Sequence, residues 1–181
     1  MNGWIDDSDL PKLQSIQLGP GGLLGDNDDD RETISDEPYS NQHDNNTIDN
    51  TTESVDIHYN SYNNEKTLIL PFFLCSLKRI VIGNDCFRKA RVFELDGLSE
   101  LESVVIGQQS FRIGSFERND GSYRIVNSPK LKSIQIGYES FEDYHSFELN
   151  NLPSLQTIDI SGWCFRYAPS FSLTGLIDGL V

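Results

Sequence analysis

The feature that most constrains this chain is a phrase that it writes several times. "LKRIVIGNDCF" begins at Leu77, "LESVVIGQQSF" at Leu101, "LKSIQIGYESF" at Leu131 and "LQTIDISGWCF" at Leu155. The leading leucines are separated by 24, 30 and 24 residues, the longer step being a 24-residue unit with six residues added around Arg118 to Gly121. The second half of the unit recurs too, as Phe93-x-Leu95, Tyr123-x-Ile125, Phe147-x-Leu149 and Phe171-x-Leu173. A fixed period of this length marks a repeat array. One unit cannot bury its own apolar residues, so neighbours must stack into a continuous core.

Both halves of the unit alternate, I-x-I and then F-x-L, as short strands with one buried face do. Stacked coils then place parallel strands side by side at about 4.8 Å. Gly83, Gly107 and Gly137 follow the first strand and are expected to permit the turn there, while the last copy carries its glycine one place later, at Gly162. Between Phe87 and Phe93 there is room for about one helical turn. An earlier copy opens at Leu13 with Ile16, Leu18 and Gly19, and the 64 positions from Leu13 to Leu77 are one unit plus about 40 residues. The expected fold is a single domain over residues 1–181, a β-rich solenoid of about five coils with parallel strands and little helix.

Those extra residues place a long insertion at 26–65, within the first coil. The stretch is rich in Asp, Asn, Ser and Thr and poor in aliphatic residues, and is expected to be disordered because it cannot offset the entropy of ordering. Loop closure grows only logarithmically with length, so its deletion is expected to leave the fold standing. Asp26, Asp28, Asp30 and Glu37 fall at places 1, 3, 5 and 12 of a calcium-loop spacing. Arg31 occupies the sixth place, where such a loop needs glycine, and no helical pattern flanks it. Solvated acidic chain is the better reading, and a calcium-responsive protein the lesser alternative.

Charge excludes other classes. The formal net charge is −14, which disfavours nucleic acid and anionic membranes, although Lys78, Arg79, Arg88, Lys89 and Arg91 gather in one short stretch. No apolar run approaches the roughly 18 residues of a membrane helix, so no membrane insertion is expected. The first residues, "MNGWIDDSDL", show no signal peptide, which makes a cytoplasmic location the default. A surface location is the alternative if the chain is a segment of a longer protein, as expected from "DLPKL" at Asp9 to Leu13, which echoes "NLPSL" at Asn151 to Leu155, and from an uncapped last coil. Cys75, Cys86 and Cys164 are too few for a disulfide scaffold. Cys86 and Cys164 share one repeat column three coils apart, about 14 Å at strand spacing, and are expected as small core residues. His43, His58 and His145 share no motif, and no nucleophile elbow, zinc-helix or phosphate-loop pattern is present. No catalytic residue, metal or cofactor is expected.

The repeated LxxIxI resembles the LxxLxL core of leucine-rich repeats, and "IGNDCF", "IGQQSF" and "IGYESF" resemble the IGxxAF signature of the BspA-like subclass of bacteria and protists. The resemblance covers roughly Leu10 to Leu176 outside the insertion, and implies a leucine-rich-repeat solenoid with an interaction role, often at a cell surface. Two features depart from that family. Its ladder Asn or Cys is replaced by Asp85, Gln109, Glu139 and Trp163, with the small residue one place later. Its usual extra strand between the LxxIxI segment and IGxxAF is also missing here.

Within each first strand the residues between buried ones should point outward, and these differ from coil to coil while the buried ones scarcely change. Lys78, Arg79, Val81, Glu102, Val105, Lys132, Gln135, Gln156 and Asp159 form this candidate partner-binding column, with Tyr138 and Trp163 as aromatic anchors on the rim just beyond. The second strands offer an alternative face through Glu94, Arg124, Glu148 and Ser172. The leading functional reading is a non-catalytic scaffold that binds a protein or peptide, as a segment of a larger surface or interaction protein. The alternative is a regulatory repeat region of a larger multidomain enzyme or signalling protein.

Overall fold

The computed structural model describes residues 50–70, 72–113 and 121–176, together with the backbone of residues 16–18. Two parallel sheets carry the architecture of the described residues. The first is ordered β1 (Ile16–Leu18), β2 (Ser54–Ile57), β4 (Arg79–Ile82), β6 (Ser103–Ile106), β8 (Ser133–Ile136) and β10 (Thr157–Ile160). The second runs β3 (Thr67–Leu70), β5 (Val92–Asp96), β7 (Gly121–Val126), β9 (Tyr144–Leu152) and β11 (Ser170–Leu176). The chain alternates between the sheets once per coil and so winds a β-solenoid of about five turns, with no helix among the described residues. The register keeps every repeat position in its own column: Ile82 pairs with Ile106, Ile106 with Ile136 and Ile136 with Ile160. Likewise Phe93 lies beside Tyr123, Tyr123 beside Phe147 and Phe147 beside Phe171. A slip of one residue would turn each apolar set outward, which is why the alternation fixes the pairing.

Between the sheets stand two columns of aromatic rings. Tyr62, Phe87, Phe111, Phe141 and Phe165 stack with nearly parallel planes and centroids 5.3, 4.9, 4.6 and 5.2 Å apart. Phe93, Tyr123 and Phe147 stack at 4.9 Å each and meet the first column edge to face, as Tyr123 does Phe141 at 4.9 Å and 79°. Offset stacks and edge-on pairs both satisfy the ring quadrupole, so the spine gains more than its buried area alone. Where the sequence left room for a helical turn, three described coils make one tight turn instead: the amides of Ala90, Tyr144 and Ala168 donate to the carbonyls of Phe87, Phe141 and Phe165 at 2.9, 3.1 and 3.0 Å.

The acidic insertion is shorter than composition implies. Residues 50–65 belong to the solenoid and are not disordered: Val55 and Ile57 of β2 are buried and pair with Ile80 and Ile82. The segment is a further copy of the repeat, with Thr52 in the leucine column, His58 in the glycine column, Ser61 in the small column and Tyr62 in the aromatic one. Thr52 and Ser61 are fully buried. Removing residues 26–64 would therefore take out β2 and the first ring of the stack. That overturns the expectation of a dispensable loop for this part. The remainder of the insertion, 26–49, and residues 114–120, which include Arg118 of the six-residue addition, lie outside the described residues.

A small-residue ladder ties the coils together along one edge. The hydroxyl of Ser110 donates to the Gly83 carbonyl at 2.8 Å and accepts the Cys86 amide at 3.1 Å. Ser140 repeats this with the Gly107 carbonyl at 2.7 Å and the Ser110 amide at 3.1 Å. Cys86 and Cys164 fill the same column with free thiols that donate to the His58 and Gly137 carbonyls at 2.9 and 3.0 Å. Burial pushes both thiols up, so they stay protonated donors. The third cysteine, Cys75, is exposed and its thiol free. Ser110→Ala should destabilise by about 1–3 kcal/mol, because it leaves the buried Cys86 amide without its acceptor. Urea unfolding followed by circular dichroism measures this, and Ser110→Cys should lose less than the alanine.

Tyr123 marks the opposite case. Its ring is one of the stack, but its buried hydroxyl has no hydrogen-bond partner, and burial drives its ionisation far above the usual tyrosine range. Its column neighbours are Phe93 and Phe147. Tyr123→Phe is expected to be neutral or to stabilise by up to about 1 kcal/mol, since it removes a desolvated donor without opening a cavity. A loss of more than that in thermal melts would mean the hydroxyl is bonded.

Candidate functional site

The outward face of the first sheet is set by the same alternation that builds the core. With Ile80, Ile82 and their column mates turned inward, the side chains between them face solvent on neighbouring strands at one strand spacing. Three columns result: Glu53, Lys78, Glu102, Lys132 and Gln156 lie just before the strands; Ser54, Arg79, Ser103, Ser133 and Thr157 open them; Asp56, Val81, Val105, Gln135 and Asp159 follow. Lys78, Arg79, Lys132, Gln135, Gln156 and Asp159 are exposed, while Val81, Glu102 and Val105 are half-buried. All nine predicted strand positions therefore share one face.

The first column is a ladder of opposite charges. Lys78 pairs with Glu53 at 3.0 Å and Lys132 with Glu102 at 2.7 Å. The Lys132 hydrogen bond and charge, helped by Lys130 and Lys78, hold the Glu102 carboxyl below its ordinary range. Such exposed pairs contribute little to stability, but they partly neutralise both lysines. Arg79 stands apart, with no ion pair among the described residues.

Tyr138 and Trp163 lie in adjacent coils on the rim, 40% and 50% exposed. The Arg166 guanidinium stacks over the Trp163 ring at 4.1 Å from its centroid and reaches Glu142 at 3.6 Å. Arg112 also bonds Glu142, at 3.1 Å, and Glu139, at 3.2 Å, where Gln109 donates a further hydrogen bond at 2.9 Å. The Trp163 ring is thus held in place by a cation from its own turn. Sequence reasoning missed Arg166, Glu53, Asp56 and Tyr59, the last 67% exposed on the same rim. The signal for the latter three was their offset from Thr52, hidden because Thr52 does not look like the leucine it replaces.

The outer face of the second sheet is built differently. Arg124 is held by Glu94 at 2.7 Å, Asp96 at 3.1 Å and Glu148 at 3.3 Å. A hydrogen bond from Asn127, with Arg124 behind it, keeps the Asp96 carboxyl below its usual range. The one cation at its centre is consumed by three carboxylates. Beyond it Asn151 donates to Asn127 at 2.9 Å and Asn127 to Asp96 at 2.8 Å, an amide ladder along the coil corner.

Among the described residues no group of three or more His, Cys, Asp or Glu side chains is placed to hold a metal ion. The calcium-type spacing at Asp26 to Glu37 lies outside them. No helix of the described residues is long and apolar enough to cross a membrane. Comparison with known proteins finds no matching family model, no similar curated protein and no similar solved structure.

Proposed function

We propose that the chain is a non-catalytic binding scaffold of the leucine-rich-repeat kind, with the BspA-like pattern, which presents the outward face of its first sheet to a protein or peptide. The observation that carries this reading is a contrast within single strands. Inward positions repeat Ile or Val in coil after coil, while outward positions at the same depth of the stack change from Asp to Val to Gln. The solenoid makes such a surface because each coil delegates a few side chains to a shared, rigid face. Val81 and Val105, side by side in register and only half-buried, supply an apolar floor in the third column, beside the charged ones. Trp163, pinned by Arg166, is an aromatic anchor at the margin.

The experiment is capture with the 181-residue chain as bait, followed by substitutions on each face. Val105→Asp should abolish capture of a true partner, and Trp163→Ala should raise its dissociation rate by about tenfold or more. Glu148→Lys on the second sheet should leave binding intact. The opposite pattern would place the partner on the second sheet and overturn the reading.

A further inference from the structure

The central strands of this face carry a charge unlike that of the chain. On the outward side of β4, β6 and β8 and of the residue just before each stand Lys78, Arg79 and Lys132 against the single carboxylate Glu102, on a chain of net charge −14. Lys78 and Lys132 already have carboxylate partners. Among the described residues Arg79 has none, and Asp56, which lies opposite Val81 on β2, forms no ion pair with it. Four other arginines contrast with this: Arg88, Arg112, Arg124 and Arg166 each pair with at least one carboxylate. Two residues along the strand from Arg79 is Val81, and across from Val81 is Val105.

A planar cation with no carboxylate partner among the described residues, beside an apolar floor, fits one chemistry best. We infer that the partner segment presents a carboxylate to Arg79 and a leucine or β-branched side chain to Val81 and Val105. This rests on the reading of the face as a binding surface. A guanidinium binds a carboxylate bidentately through two parallel hydrogen bonds, which lysine cannot match. Acid elsewhere on the surface repels an acidic segment and so directs it to this island, which makes the association fast and salt-sensitive. A basic or nucleic-acid partner finds the reverse: nucleic acid meets repulsion over most of the surface, and a basic segment meets Arg79.

The test is selection of a random peptide library displayed on phage against the 181-residue chain, repeated with Arg79→Glu, Arg79→Lys and Val105→Asp. The expected binders carry Asp or Glu beside Val, Ile or Leu, lose about tenfold or more in affinity on Arg79→Glu, and lose part of that on Arg79→Lys. Against Arg79→Glu itself the selection should turn to Lys or Arg. Binders that Val105→Asp blocks but that carry no carboxylate would overturn this inference while leaving the binding face in place. Binders indifferent to all three substitutions, or none enriched, would overturn both. Circular dichroism of each variant excludes loss of the fold as the cause, since the substituted side chains face solvent.

Discussion

Phe141→Ala should lower stability by about 3–5 kcal/mol, the usual scale for emptying a buried phenylalanine site. The ring is wholly buried between Phe111 at 4.6 Å and Phe165 at 5.2 Å, with Phe93, Tyr123 and Tyr144 edge-on to it. Its backbone sits at φ 56°, and the same left-handed conformation recurs at Tyr62, Phe87, Phe111 and Phe165. A residue with a side chain is strained there by the order of 1–3 kcal/mol, and the ring contacts hold it in place. Alanine keeps that strain and discards the contacts that offset it. Collapse of the site is blocked on both sides, because the rings above and below belong to other coils with their own registers. In a solenoid the loss also weakens two inter-coil interfaces at once. Phe165→Ala, beside the last described strand, where Phe171 and Leu173 are exposed, should therefore cost less. Denaturant unfolding followed by circular dichroism measures both. Equal losses would show that the stack is not continuous.

How much of this was legible in the sequence depends on which letters carried the repeat. Leu77, Leu101, Leu131 and Leu155 are wholly buried, as are the Ile and Phe columns behind them up to the exposed Ile160 and Phe171, and from them both sheets, the register and the core could be read. The copy at Thr52 stayed hidden because three marker letters changed together. Threonine is close to valine in shape and fits the leucine column once buried, with Tyr62 able to stack on Phe87 as its phenylalanine counterparts do. Composition alone then classed a folded strand with the acidic chain before it. The outward face was legible from alternation, but its electrostatics were not. Lys78 reads as a free cation until Glu53 is in register beside it. The pairing of Arg166 with Trp163 depends on the shape of a turn, which no periodicity encodes.

The glycine column gives the second large effect, and corrects the reason for its glycines. Gly83, Gly107 and Gly137 were expected to permit a turn, yet none has a positive φ; among the described glycines only Gly97 and Gly175 do. What they permit is contact between coils. A Cβ on Gly137 would stand 2.6 Å from the Gly107 carbonyl carbon, 2.7 Å from the Gln108 nitrogen and 2.8 Å from the Gly107 oxygen. All three are backbone atoms, which cannot rotate away. The Gly137 amide also donates to the Ile106 carbonyl at 2.8 Å, so moving the coil to make room loosens the ladder at that point. Gly137→Ala should thus destabilise by about 3 kcal/mol, at the upper end of what overpacking does, even though the added group is one methyl. Gly162→Ala is the matched control. The displaced glycine of the last coil would place its Cβ 3.7 Å from the Tyr138 ring, an ordinary contact. Its substitution should fall within about 0.5 kcal/mol of the parent. Thermal melts of the pair separate the two explanations. If turn flexibility were the reason for the column, both alanines would cost alike. If close approach is the reason, only the one at Gly137 pushes the coils apart.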